Sequence, residues 1–194
     1  MSKSILYMSM SLDGYIAGPN DNPQNPGGDR FMRLHEWFGD FTRQDGPVGE
    51  LFDEMNDFGA ILAGRNTVEQ VDHWKGDRNG VRIFVPSHRP PDPETAKYPL
   101  VTYVTDGIES AMAQAKAAAG DRHVLVHGAY TAQSALEAGV LDELQIHLIP
   151  VLFGGGKRQF DVLRERVELE VLRVIDTPEA THIRYRVKGR HEAP

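Results

Sequence analysis

The sequence predicts an α/β fold with a mostly parallel sheet, helices packed on it, and antiparallel strands at its C-terminal edge. Strand-like apolar runs alternate with helical patterns over most of the chain, which is typical of parallel sheets. Two strand patterns then follow one another near the C-terminus without a helix between them, as in an antiparallel pair. The 194 residues contain no recognisable linker or repeat, so we expect a single domain over 1–194.

The first half begins with a strand, which is followed by a loop composed almost entirely of turn-forming residues. Residues 4–10 are the predicted strand, and the loop extends to Gly28, a length that indicates either function or partial disorder. Short helices are predicted for Phe31–Phe38, which is rich in aromatic residues, and for Val48–Asp57, where apolar residues recur at helical spacing. Further strands are expected over 60–63, 81–85 and 100–104.

The second half is organised around the segment Arg122–Gly156, which predicts a strand, a glycine turn, a helix and a second strand. Asp106 and Glu109 cap the preceding helix, whose apolar residues over 108–119 share one face. The elements of the central segment are expected over 124–126, 129–138 and 141–152, and the antiparallel strands over 167–171 and 183–187.

Composition excludes several functional classes. The chain has no cysteine, which excludes disulfides, thiol catalysis and thiolate metal sites and fits a cytoplasmic protein. The formal net charge of −7 disfavours binding to nucleic acid. No apolar run approaches the ~18 residues of a membrane span, and the N-terminus meets polar residues too early for a signal peptide.

Neither the histidines nor the triple glycine predicts a further site. His123 and His127 lie on a predicted strand, where about 13 Å would separate them, so they cannot share a metal ion, and we expect no metal. Gly154–Lys157 is not a P-loop, because Val151 and Arg158 stand where that motif requires Gly and Ser or Thr. We interpret this segment as a flexible loop between strands.

Polar or glycine-containing turns follow three of the predicted strands. Gly64–Thr67 ends one strand and starts a helix, Ser87–Arg89 follows the next, and His127–Gly128 follows the central one. Each turn alone is about equally well explained as an ordinary strand-to-helix connection. Ligands of open α/β sheets bind at the carboxyl ends of strands, however, and helix starts attract anions. The coincidence of three such turns therefore predicts a site for a phosphorylated cofactor such as a dinucleotide.

Several motifs resemble those of the RibD C-terminal family, whose members are relatives of dihydrofolate reductase. They occur in the family's order and span nearly the whole chain. The matching segments are 11–17 (Ser-Leu-Asp-Gly-Tyr-Ile-Ala), 62–67 (Leu-Ala-Gly-Arg-Asn-Thr), 126–129 (Val-His-Gly-Ala), 141–144 (Leu-Asp-Glu-Leu) and 149–154 (Ile-Pro-Val-Leu-Phe-Gly). In the third segment His127 replaces the first glycine of the family's Gly-Gly pair, so its side chain must point away from the cofactor or reshape the pocket.

The resemblance implies a three-layer sandwich like that of dihydrofolate reductase, with NADPH as hydride donor. By this analogy Ile16 and Ala17 flank the nicotinamide, and Arg65 to Thr67 hold the adenosine-side phosphates. Ser87 to Arg89 lie near the phosphate of the adenine ribose, and Gly128 to Thr131 cradle the pyrophosphate. The implied cofactor-binding set is Ile16, Ala17, Gly64, Arg65, Asn66, Thr67, Ser87, His88, Arg89, His127, Gly128, Ala129, Tyr130 and Thr131.

The resemblance also implies an enzyme that reduces a small heterocycle, either a pterin or a ribosylaminopyrimidine of the riboflavin pathway. The family's catalytic acid falls in the helix before Gly64, where Glu50 and Asp53 are the candidates beside Glu54. The strands near the C-terminus could pair across a two-fold axis, so we expect a homodimer. The alternative is a nucleotide-binding protein that kept the fold and lost or changed the chemistry.

Overall fold

The computed structural model describes residues 2–39 and 46–188. Eight of its strands form one sheet, and two short strands pair separately. The strands are β1 (Ser4–Ser11), β2 (Tyr15–Ala17), β3 (Phe58–Ala63), β4 (Arg82–Pro86), β5 (Val101–Val104), β6 (His123–His127), β7 (Glu143–Ile149), β8 (Lys157–Arg158), β9 (Leu169–Asp176) and β10 (Thr181–Val187). The helices are α1 (Gly46–Asn56), α2 (Arg65–Gln70), α3 (Ile108–Ala119) and α4 (Ala129–Glu137).

The order of the main sheet is β5-β4-β3-β6-β1-β7-β10-β9. All neighbours from β5 to β7 are parallel, whereas β10 is antiparallel to both β7 and β9. This confirms the predicted parallel sheet with antiparallel C-terminal strands. Because β3, β4 and β6 are adjacent and parallel, the three polar turns that follow them meet at one edge of the sheet.

The helices cover both faces of the sheet and complete three layers. Helices α3 and α4 pack on the face that carries Leu6 and Met8, and the small side chains of α3 bring it close to the strands. On the opposite face α2 contributes Val68 to a second cluster, and α1 contributes Leu51 to a third. These buried side chains exclude water from both faces of the strands, so the free strand ends are the natural place for a ligand.

Three predicted elements differ from the structure in their bounds or type. The aromatic segment is two 3-10 turns, Phe31–Leu34 and Glu36–Phe38, rather than one helix. The strand predicted over 141–152 ends at Ile149, because Pro150 has no N–H to continue the ladder. Helix α3 begins after Gly107 without a side-chain cap, and the Asp106 carboxylate accepts a hydrogen bond from the Ser110 hydroxyl instead.

The segment around the triple glycine is anchored by Asp13, contrary to its interpretation as a flexible loop. The Asp13 carboxylate accepts hydrogen bonds from the backbone N–H groups of Phe153 (3.0 Å) and Gly154 (2.8 Å). Desolvation acts against the charge, but these bonds and one from the Ser11 hydroxyl lower the pKa of Asp13 to about 2. A Cβ at Gly156 would overlap the carbonyl oxygen of Ala17, so close approach of the two segments requires this glycine.

Candidate cofactor and substrate cleft

Two cavities adjoin at the carboxyl ends of the central strands. The first, of about 520 Å³, is lined by the turns after β3, β4 and β6, and we call it the polar cavity. The second, of about 410 Å³, is lined by residues of β1 and by several aromatic side chains, and we call it the aromatic cavity. Both are lined by Thr67, Gly128, Ala129 and Lys157, so they form one continuous cleft.

Three helices begin at the polar cavity. The residues that precede α2, α3 and α4 are Gly64, Gly107 and Gly128, and none of these three makes a side-chain capping hydrogen bond in the described structure. Glycine has no side chain with which to cap the first N–H groups of a helix, so these donors stay available to a ligand. The positive ends of the helix dipoles also point toward this space. The polar cavity is therefore suited to anionic groups such as phosphates.

The turns at Gly64 and Gly128 fit against each other through their threonines. A Cβ at Gly64 would lie 2.8 Å from Oγ1 of Thr131, and one at Gly128 would lie 3.1 Å from Oγ1 of Thr67. Gly128 also has a φ of 93°, which side chains rarely tolerate. The two glycines thus allow the two helix starts to approach closely across the cavity.

Arg65 reaches the polar cavity, but protein groups occupy most of its donors. Its Nε donates to Glu69 at 2.6 Å, and its Nη1 donates to the Ser87 hydroxyl at 3.1 Å and to the carbonyl oxygens of Arg89 and Pro90. The side chain is only 10% exposed. Arg65 therefore holds the loop after β4 in place, and the exposed side chains of His88 and Arg89 are left facing solvent at the cavity rim.

His127, which replaces the family's glycine, directs its side chain into the aromatic cavity. Its pKa is lowered to about 4, chiefly by burial and further by the charges of Arg78 and His35. A neutral imidazole therefore lines this cavity near pH 7, together with Ile16 and Ala17. The structure brings all the predicted cofactor-binding residues to the cleft, with His127, Ile16 and Ala17 on its aromatic side and the others at the polar cavity.

A left-handed turn supplies the far wall of the aromatic cavity. Asp72, His73, Trp74 and Lys75 all have φ between 46° and 55°, a conformation that costs about 1–2 kcal/mol per residue. Two hydrogen-bonding contacts hold the turn. Tyr98 donates to the Asp72 carboxylate at 2.7 Å, and His73 Nε2 lies 2.9 Å from the Tyr103 hydroxyl. These contacts offset part of the strain and hold the turn that places Trp74 at the cavity wall.

Next to this turn, a positively charged side chain lies against an aromatic ring of the cavity wall. Trp74 lines the aromatic cavity, and the guanidinium of Arg78 lies 5.3 Å from the centre of its ring. Burial lowers the pKa of Arg78, but the ordinary pKa of an arginine is so high that the group keeps its charge. Asp21 contributes a carboxylate to the same cavity, and its Oδ1 accepts hydrogen bonds from Gly27 N and Gln70 Nε2, both at 2.9 Å.

The candidate acids of α1 do not reach the cleft. Glu50 and Asp53 are exposed, and neither lines the polar or the aromatic cavity. The helix instead turns Leu51 inward and Met55 toward the aromatic cavity, which leaves the two carboxylates on its outer face. Glu54, beside them, forms ion pairs with Arg173 at 2.7 Å and Arg184 at 3.2 Å.

Sequence reasoning missed most of the side chains of the aromatic cavity. They come from distant segments and follow no shared motif, although Lys157 directly follows the triple glycine that brings it to the cleft. The hydroxyl of Tyr7 donates to the carbonyl oxygen of Leu51 at 2.8 Å and burial raises its pKa, so it is not an available acid. The missed residues include Tyr7, Asp21, Trp74, Arg78, His147 and Lys157.

Two further observations concern metals and membranes. Among residues 2–39 and 46–188, no three His, Asp or Glu side chains come together as a metal site would require. Every helix in the same described ranges is too short or too polar to cross a lipid bilayer.

Residues 3–183 match the RibD C-terminal domain. The chain belongs to this family. No curated protein matches the sequence. Similar solved structures include a protein of Shewanella sp. PV-4, provisionally named a riboflavin biosynthesis protein, with 23% identity and a TM-score of 0.75 over 96% of this chain and 99% of that one.

Two other solved structures share the fold at lower identity. A deaminase/5-amino-6-(5-phosphoribosylamino)uracil reductase of Thermotoga maritima is 17% identical with a TM-score of 0.63, over 96% of this chain and 57% of that one. Dihydrofolate reductase of Enterococcus faecalis, complexed with NADP(H) and RAB-propyl, is 15% identical with a TM-score of 0.60, over 95% and 96% of the two chains. This family chain therefore has the fold of dihydrofolate reductase.

Proposed function

We propose that the protein is an NADPH-dependent reductase of a small planar heterocycle. The observation that carries the proposal is the continuous cleft, in which a cavity surrounded by three uncapped helix starts opens into a cavity lined by aromatic rings. The first provides donors for phosphates, and the second provides an apolar, partly enclosed space for a nicotinamide and a substrate ring. The family and its reductase neighbours support this reading.

The polar cavity fits the phosphate end of the cofactor. The first N–H groups of α4, from Ala129 to Thr131, would hold the pyrophosphate. Arg89 and His88 at the rim would meet the 2′-phosphate of the adenine ribose, while Arg65 and Ser87 fix the loop that presents them. Lys157, at the junction of the two cavities, would add a positive charge beside the pyrophosphate.

The aromatic cavity fits the reacting end. NADPH supplies a hydride when it is bound, and the protein has to align the two rings and keep water away. Ile16 and Ala17 are buried and would contact the nicotinamide, whereas Trp74 and Phe31 offer flat surfaces for the substrate ring. Asp21 replaces Glu50 and Asp53 as the candidate carboxylate, because it lines this cavity and they do not.

The substrate class follows from the same lining. A pterin or a ribosylaminopyrimidine is flat and rich in N–H groups, and a phosphate on its ribosyl group could pair with Arg78. One similar structure is named a riboflavin biosynthesis protein, a second a phosphoribosylaminouracil reductase and a third dihydrofolate reductase, so these names support both substrates equally.

The test uses the purified protein. Micromolar NADPH should raise its melting temperature. In a panel of dihydropterins and ribosylaminopyrimidines, at least one compound should oxidise NADPH, which is measured as a loss of NADPH absorbance. If NADPH causes no thermal shift, the proposal fails. If NADPH binds and no compound is reduced, the alternative of a nucleotide-binding protein without this chemistry is favoured.

We also propose that the protein is a homodimer that pairs through the β9–β10 hairpin. β9 is the edge strand of the sheet, and it exposes Leu169, Val171 and Val174, of which Val171 and Val174 are more than half exposed (58% and 56%). These side chains lie on one face with their cross-strand partners Val187, Tyr185 and Ile183, respectively. Light scattering should give the mass of a dimer, and Val171→Asp should give a monomer that still binds NADPH.

A further inference from the structure

We propose that His147 is a substrate-binding residue, whose Nε2 accepts a hydrogen bond from an N–H group of the bound heterocycle. His182 and Thr177 act as positioning residues that keep this nitrogen free of a proton. This inference rests on the proposed function, because it assigns the aromatic cavity to a nitrogen heterocycle. It selects substrates that present an N–H donor at this point of the ring.

The two histidines form a buried pair across neighbouring strands. His147 on β7 is the direct cross-strand partner of His182 on β10, and their Nδ1 atoms are 2.7 Å apart. Their side chains are excluded from solvent, at 0% and 1% exposure. Trp37 stacks on the His147 ring with 4.2 Å between centroids, so the ring has little freedom to turn.

The hydrogen bonds around the pair determine where the protons are. The Thr177 hydroxyl donates its one proton to the carbonyl oxygen of Ala180 at 2.9 Å, so toward His182 Nε2, at 3.4 Å, it can only accept. His182 therefore carries its proton on Nε2, and its Nδ1 is an acceptor. His147 must then donate from Nδ1, which leaves His147 Nε2 without a proton.

This state requires that both rings are neutral, and their surroundings favour that. Burial is the main cause that lowers the pKa of His182 to about 4 and that of His147 well below its ordinary value. Near pH 7 the pair therefore has two protons, one on each ring, in the arrangement that the hydrogen bonds select.

The free nitrogen of His147 lies beside the cleft. Nε2 is buried, and it has no hydrogen-bond partner among the described residues. His147 itself lines the aromatic cavity. Since Nδ1 is turned sideways toward β10, Nε2 is at the end of the ring that points away from its own strand. A buried acceptor without a partner is unfavourable, and a ligand N–H group would satisfy it.

Gln145, on the same strand, provides a matched control. Its Nε2 is also buried without a partner among the described residues, but Gln145 does not line the aromatic cavity. An effect on protein stability alone should therefore appear in variants of both residues, whereas an effect on ligand binding should be confined to His147.

The first test measures binding of two probes, pterin and 5,6-diaminouracil, together with their N-methylated analogues, by calorimetry. His147→Phe should weaken at least one unmethylated probe about tenfold, the usual effect of losing one hydrogen bond, and should leave its methylated analogue and NADPH within twofold. His147→Gln, which can place an acceptor at similar reach, should recover most of the affinity. Gln145→Met should leave the affinity for both probes unchanged.

The proposal is overturned if His147→Phe weakens methylated and unmethylated probes equally, or if neither probe binds the wild-type protein. A second test needs no variant. Nitrogen NMR of histidine-labelled protein should find His147 Nε2 unprotonated at pH 7, and a protonated Nε2 contradicts the assignment. Both tests are independent of NADPH, so failure of the cofactor proposal and failure of this one are distinguishable.

Discussion

The polar cavity is built mainly from backbone turns, whereas the aromatic cavity is built from side chains that come from distant parts of the chain. In the first, Gly64, Gly107 and Gly128 leave three helix starts open at adjacent places. In the second, Tyr7, Trp74 and His147 meet only because the sheet and a left-handed turn bring them together. The first arrangement suits a constant ligand such as a cofactor, and the second can change its specificity one side chain at a time.

The largest expected effect tests the backbone character of the polar cavity. Gly128→Ala would force a side chain into a φ of 93° and toward Thr67, so we expect NADPH affinity to fall about 100-fold by calorimetry. Gly139→Ala is the control, because Gly139 has a φ of 70° with open space around it. Both variants should lose about 1 kcal/mol of stability. Equal NADPH affinities would contradict the role of the Gly128 turn.

The second effect is a loss of stability in acid that comes from His182, the partner of His147 beside the aromatic cavity. Because the pKa of His182 is about 4 when folded and near its ordinary 6.5 when unfolded, the unfolded chain binds more protons below pH 6.5. Stability is complete above that pH and falls as the pH approaches 4. From pH 7 to pH 5 we expect a loss on the order of 2 kcal/mol from His182 alone. Urea unfolding measures it, and His182→Gln should flatten the profile.

The third effect separates the ligands of the two cavities. Arg78→Gln should raise the KM for a phosphorylated substrate about tenfold, because it removes the cation beside Trp74, and should leave the NADPH affinity unchanged. Arg82→Gln, on the exposed start of β4, is the control. Steady-state kinetics with phosphorylated and unphosphorylated substrates measure the change. An equal rise in KM for both would show that Arg78 does not recognise the phosphate.

The smallest effect distinguishes two arginines within the polar cavity. Arg89→Ala should weaken NADPH about fivefold and leave NADH unchanged, because we propose that its exposed guanidinium meets the 2′-phosphate. Arg65→Ala should weaken both cofactors to a similar extent, since Arg65 holds the loop through Ser87. The dissociation constants of NADPH and NADH, measured for both variants, distinguish the two roles. If Arg65→Ala weakens NADPH binding but not NADH binding, the roles of the two arginines are reversed.

These differences explain how far the sequence could predict the molecule. The parallel sheet and its antiparallel edge follow from local apolar patterns, and the turns at Gly64 and Gly128 follow from local turn chemistry. Pro150 ended a strand earlier than its apolar pattern indicated. Glu50 and Asp53 were reasonable acids by position, but a helix can turn either face inward, and the apolar residues of α1 decided which.

The aromatic cavity was beyond local patterns for a physical reason. The left-handed turn at Asp72–Lys75 contains no glycine, so its conformation depends on contacts with Tyr98 and Tyr103 rather than on its own sequence. His147 and His182 are ordinary alternating residues of two strands until the strand register places them opposite each other. Register and buried proton positions are properties of the assembled sheet.

We propose that one cofactor spans both cavities, and a crystal structure with bound NADP⁺ would show whether it does. We predict that the pyrophosphate lies at the N–H groups that follow Gly128 and that the nicotinamide lies beside Ile16 and Ala17. A nicotinamide outside the aromatic cavity, or phosphates bound away from the start of α4, would contradict the account.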